Sequence, residues 1–170
     1  MKTRNLSKLT ETKEFQELTN NYPITFYIKD GSLLLNNNNN IYIYIYCYMS
    51  DGYPEFTLFN IPSQTYSSDI RYLMAGMTGD IEDNVTETYS YYEKVHTKSI
   101  INEGISGEIK MEKYFLSHIE ILKKYFPDLL DGKIEKYEKY FEPLIGGYIK
   151  MFDELKAFVE QQESICPRLA

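Results

Sequence analysis

"NNNNNIYIYIYCYM", residues 36–49, is the stretch whose reading decides the fold. In an extended strand successive side chains point to opposite faces. Ile41, Ile43, Ile45, Cys47 and Met49 then share one face, and Tyr42, Tyr44, Tyr46 and Tyr48 share the other. Three β-branched isoleucines at facing positions suit a pleated surface covered by a helix, so the aliphatic side is expected to be core. The opposite side is a row of phenol rings, each a large apolar body with one hydroxyl.

The flanking segments extend this strand into a meander. Upstream, "ITFYIK" and "SLLL" are joined by Asp30-Gly31, a dipeptide that readily takes the positive φ angles of a type I′ hairpin turn. The asparagine run is expected to be a loop, because asparagine tolerates left-handed turns and its amide competes with ladder hydrogen bonds. Both "NNNNN" and "IYIYIY" can be encoded by short AT-rich repeats, which points to an AT-rich genome. Downstream, Asp51-Gly52 and Pro54 turn the chain into "EFTLFNI", a further antiparallel strand.

Helices are expected on either side of this sheet in sequence. Residues 6–20 carry Leu6, Leu9, Phe15 and Leu18 as a loose apolar stripe ended by Asn20-Asn21 and Pro23. Residues 67–77 read as a helix with Ile70, Leu73, Met74 and Met77 on one side. Residues 81–98 fit either state, and the threonine and tyrosine enrichment favours a strand. In the C-terminal third, Met111, Phe115, His118, Leu122, Tyr125 and Leu129 alternate at spacings of four and three. After Pro127 and Asp131-Gly132 the alternation resumes at Ile134, Tyr137, Phe141, Leu144, Tyr148, Met151, Leu155 and Phe158. Such a repeat marks a seam, and two helices joined by a short turn predict a helical hairpin. Pro143 with Gly146-Gly147 should kink or interrupt the second helix. Phe126, Leu130, Ile145 and Val159 lie off the seam and widen the apolar stripe.

The predicted fold class is therefore α+β: an antiparallel β-meander with an N-terminal helix and a C-terminal antiparallel helical hairpin packed on the sheet. One domain is expected over 1–170, divided into a helix-plus-sheet region (1–107), the helical hairpin (108–163) and a tail (164–170). A chain of 170 residues suffices for a core without staples. The formal net charge of −7 and pI near 4.9 disfavour a nucleic-acid footprint, which draws its affinity from lysine and arginine. The basic start "MKTRNLSKLTETKEF" lacks an apolar stretch behind it, so no secretory signal is read there, and no apolar run approaches a membrane span. Cys47 and Cys166 do not make a disulfide framework, and reduced thiols in a cytoplasmic protein (in the host cytoplasm, were the chain viral) are expected.

No catalytic, metal or nucleotide motif stands out. His96 lies beside Glu93 in sequence, the one arrangement that could serve as an acid–base pair and hence the alternative catalytic site. His118 sits within a seam, where histidine is ordinarily packed and hydrogen-bonded through one nitrogen. There is no ligand-spaced histidine pair, no cysteine pair and no phosphate loop, so no metal and no cofactor are expected. The functional reading is a small soluble non-enzymatic factor that binds another protein, as an inhibitor, an immunity-type factor or a chaperone-like adaptor. Tyr42, Tyr44, Tyr46, Tyr48, Phe126 and Ile145 are its candidate partner-binding residues, and the C-terminal helices offer a surface for a homodimer. Two alternatives remain beside it. The tyrosine face is covered by the C-terminal helices with hydroxyls reaching the rim, or it binds a small ligand or nucleotide. The last predicts ring faces in a cleft with lysines folded alongside from elsewhere.

Overall fold

The computed structural model describes residues 2–49, 54–68, 70, 73 and 107–165, with only the backbone of 107–110. Its centre is a six-stranded antiparallel sheet in sequence order: β1 (Thr25–Lys29), β2 (Ser32–Asn37), β3 (Ile41–Tyr46), β4 (Glu55–Asn60), β5 (Thr65–Ser67) and β6 (Glu142–Pro143). The first five form the meander, and β6 returns from the C-terminal region to extend it beside β5. Asp30 and Gly31 have φ of 51° and 83°, as the type I′ turn requires, and join β1 to β2.

The asparagine run departs from the expected loop. Asn36 and Asn37 complete β2, and only Asn38–Asn40 turn, with Asn38 and Asn39 at φ 45° and 60°. The amides that were expected to compete with the ladder bond beside it instead, apart from Asn37 Oδ1, which is buried without a hydrogen-bond partner among the described residues. Asn36 Nδ2 donates to Asn39 Oδ1 at 3.1 Å, and Asn39 N donates back to Asn36 Oδ1 at 3.1 Å, which closes the turn. Asn37 Nδ2 donates to the Leu130 carbonyl.

Register then sorts the side chains. Leu35, Ile43 and Leu58 are directly opposed, as are Leu33, Ile45 and Phe56, so these rows line one face. Asn36, Tyr42, Phe59 and Tyr66 line the other. Ile41, Ile43, Ile45 and Cys47 are buried as expected. Met49 is exposed, because β3 ends at Tyr46 and only a single bridge, Tyr48 to Thr3, follows it.

The aliphatic face is covered by the N-terminal segment and by α2 (Gly107–Tyr125). The expected helix over 6–20 is divided into a 3-10 turn (Ser7–Glu11) and α1 (Lys13–Asn21), and the Thr12 hydroxyl caps α1 by accepting from Phe15 N at 3.4 Å. Leu6, Leu9, Phe15 and Leu18 all reach the core, and Phe15 stacks on Phe115 of α2 at 6.1 Å between centroids. Ile70 and Leu73 are helical and buried in the same core. The rest of the helix expected over 67–77, and the strand expected over 81–98, lie outside the described residues.

The C-terminal helices pack on the sheet, one on each face. After α2 come a short α3 (Pro127–Leu130), a 3-10 turn (Glu135–Tyr140) and β6; α4 (Gly147–Ile165) follows. The seam residues Ile134, Tyr137 and Phe141 stay in the aliphatic core, whereas Phe152, Leu155 and Val159 of α4 join Leu34, Tyr42, Phe59 and Tyr66 on the tyrosine side. The chain changes faces around the sheet edge at β6. The second long helix begins at Gly147 instead of Ile134, because Pro143 lacks an amide donor and Gly146 adopts φ 52°.

Gly146 and Gly147 have open space where a Cβ would stand, but only Gly146 has a left-handed backbone. Gly146→Ala is expected to lower stability by about 1 kcal/mol through its backbone, while Gly147→Ala raises it by about 0.5–1 kcal/mol through a less flexible unfolded chain. Thermal melts of the two variants should shift in opposite directions, by about 2–4 °C or less each.

Candidate functional site

The tyrosine face is largely occupied by α4. Tyr42 packs 6.3 Å from Phe152, Tyr27 meets Phe158 edge-on at 6.1 Å, and Tyr66 stacks on Tyr148 at 4.2 Å. Tyr42 and Tyr46 are buried. Tyr46 is held at the end of the strand by a hydrogen bond from its hydroxyl to Glu55 Oε2 at 2.8 Å. Burial holds the Tyr46 phenol well above the usual tyrosine range, and pushes Tyr42 up to about 12, with the Glu163 and Glu160 carboxylates adding to the effect.

Tyr44 and Tyr48 are different: both are half-buried. They line a cleft of about 400 Å³ with Lys29, Gly147, Lys150, Met151, Glu154 and Leu155. Lys29 ends β1, the tyrosines come from β3 and the residues just beyond it, and the remaining five project from the first half of α4. Lys29 Nζ lies 3.7 Å from Asp30 Oδ2, and Lys150 Nζ lies 3.8 Å from Glu154 Oε1. Both separations exceed hydrogen-bond length, so the ammonium groups keep donors for another partner.

Of the residues singled out from sequence, the structure thus brings Tyr44 and Tyr48 to a cleft and buries Tyr42, Tyr46 and Phe126 inside the monomer. Ile145 is 60% exposed, and Ile149 beside it is 46% exposed. Leu130 and Val159, also off the seam, are buried in the two cores. His118 is packed: its Nδ1 lies 3.0 Å from the Tyr114 carbonyl, and its ring stacks on Phe56 at 5.0 Å. His96 and Glu93 lie outside the described residues, as does Cys166. Cys47 is buried on the aliphatic face, with its Sγ 3.7 Å from the Tyr48 carbonyl. Among the described residues no three of His, Cys, Asp and Glu converge as metal ligands, and no helix is long and apolar enough to cross a membrane.

Sequence reasoning did not single out Lys29, Lys150 or Glu154. No local signal marks them, since Lys29 and Lys150 meet only because α4 returns across β1 and β3. The framework is thus that of an α+β protein, a sheet clad on both faces with a cleft where the tyrosine row emerges from under its helix. The chain matches no protein-family model, no curated protein and no solved structure.

The raised Tyr42 pKa has a consequence at high pH. Below pH 10 the phenol is protonated in both folded and unfolded chains and adds no pH dependence. Between pH 10 and about 12 the unfolded chain gives up this proton first, so stability falls as pH rises. Melting temperatures should drop across that window in the wild type, and less steeply in Tyr42→Phe when each is compared with its own value below pH 10.

Proposed function

We propose that the chain is a small non-enzymatic protein-binding factor, cytoplasmic and of the inhibitor, immunity or adaptor kind, whose partner docks where the chain enters α4. The observation that carries this reading is the exposed pair Ile145 and Ile149. Ile145 lies just before the helix and Ile149 in its first turn, so both are exposed where the chain enters α4. Leu144, just before Ile145, and Tyr148, just before Ile149, pack against the tyrosine-side core, so the exposed pair is supported by packed neighbours. Burying an isoleucine on association contributes about 1.5–3 kcal/mol, and two adjacent anchors on a rigid base can supply much of the energy of a modest interface. The other exposed pair, Phe26 and Ile28 on β1, is partly engaged already, since Phe26 meets Phe15 edge-on at 5.1 Å.

A second reading, a small-ligand binding protein, is favoured by a separate observation. Tyr44 and Tyr48 stand in a cleft with two lysines delivered from distant parts of the chain, which is what a ligand site on the tyrosine face requires.

The double variant Ile145→Asp/Ile149→Asp tests the first reading. Surface substitutions ordinarily change stability by no more than about 0.5 kcal/mol, so its melting temperature should stay within about 2 °C of the wild type. Affinity capture from the native cell should recover a partner with the wild type and lose it with the variant. If the wild type itself self-associates with rising concentration in size-exclusion chromatography and the variant does not, the partner is a second copy. A partner retained undiminished by the variant overturns the assignment of the surface.

A further inference from the structure

We propose that the cleft between the tyrosine row and α4 binds a small oxyanion attached to an apolar body, a phosphate ester or a carboxylate. The inference rests on the second reading above and names the ligand chemistry. Its polar groups are almost all donors. Lys29 and Lys150 bring ammonium groups from opposite walls, and both ion pairs with neighbouring carboxylates are too long to be hydrogen bonds. Among the described residues no protein group hydrogen-bonds the Tyr44 or Tyr48 hydroxyl, so both are available to a ligand. Glu154 is the one carboxylate in the lining, and Asp30, the other carboxylate near a lysine of the cleft, lies outside it.

The two lysines differ in a useful way. The Lys29 side chain is only 22% exposed, held along the sheet, whereas that of Lys150 is 82% exposed. Lys29 is thus a pre-positioned cation whose rotamer freedom is already spent, and Lys150 is a mobile one able to close over a bound anion. A charge-assisted hydrogen bond is about twice as strong as a neutral one, which gives the anionic group the orienting role. Met151 and Leu155 supply the apolar lining between them, and the flanking phenol rings can take a planar body against their faces. The volume of about 400 Å³ is in the range of small-molecule sites.

Titrating the isotope-labelled chain with phenyl phosphate, phenylacetate and benzyl alcohol, while following backbone amide shifts by NMR, tests the proposal. Saturable shifts are expected at Lys29, Tyr44, Gly147 and Met151 with at least one of the two anions. Benzyl alcohol should bind at least about tenfold more weakly, which is what the loss of a charge-assisted contact costs. Whichever anion binds more tightly identifies the phosphate or the carboxylate as the source of the oxyanion. Lys29→Gln should weaken that binding about tenfold, and Lys150→Gln, at an exposed position with little to disturb in the fold, should weaken it several-fold. Benzyl alcohol binding as tightly as the anions, or affinity unchanged in Lys150→Gln and Lys29→Gln, overturns the oxyanion assignment and leaves the ligand-binding reading standing. No saturable shift with any of the three probes overturns both.

Discussion

The whole arrangement depends on the period-two alternation of β3. A central strand with isoleucine on one side and tyrosine on the other makes two different surfaces from one backbone, and each must be covered by something that suits it. The aliphatic side takes the apolar stripes of α1 and α2. The phenolic side takes α4, whose Phe152 and Phe158, with Tyr148, meet the rings one against another. Slipping the register by one residue would exchange the two faces and place every ring against the wrong helix, so the pairing of β3 with β2 and β4 is strongly specified.

Much of this was legible in the sequence because its signals were local. The parting of isoleucine from tyrosine, the Asp30-Gly31 turn and the helix breakers at Pro143 and Gly146 each follow from the preferences of a few adjacent residues. What was not legible is the face to which a helix goes. The seam runs at the same spacing through Ile134, Tyr137 and Phe141 and on through Leu144, Tyr148 and Met151, yet the two sets lie on opposite sides of the sheet. The tetrapeptide Glu-Lys-Tyr-Phe makes the same point. At 112–115 it is part of α2, and at 138–141 it closes a 3-10 turn before β6. Tertiary context, not local preference, separates them.

The candidate site was half legible for the same reason. Tyrosine at alternate positions announces a surface suited to contact, and the row does contain the two rings that line the cleft. Which rings remain accessible depends on where α4 crosses them, and the lysines that complete the cleft come from residues 29 and 150, remote in the chain. The exposed Ile145 was visible as an apolar residue off the seam. Its companion Ile149 follows a seam residue just as Ile145 does, and the same signal would have found it.

The order in which the elements appear along the chain gives the tyrosine row a further meaning. All five strands of the meander precede α4 by some eighty residues or more, and their contacts are between neighbours in sequence. During synthesis the phenolic surface therefore exists before its cover has left the ribosome. A second isoleucine face would meet water dry and sticky through that interval, inviting aggregation. Hydroxyl-tipped rings tolerate the wait, wetted at their rims and still apolar enough to receive the helix when it arrives.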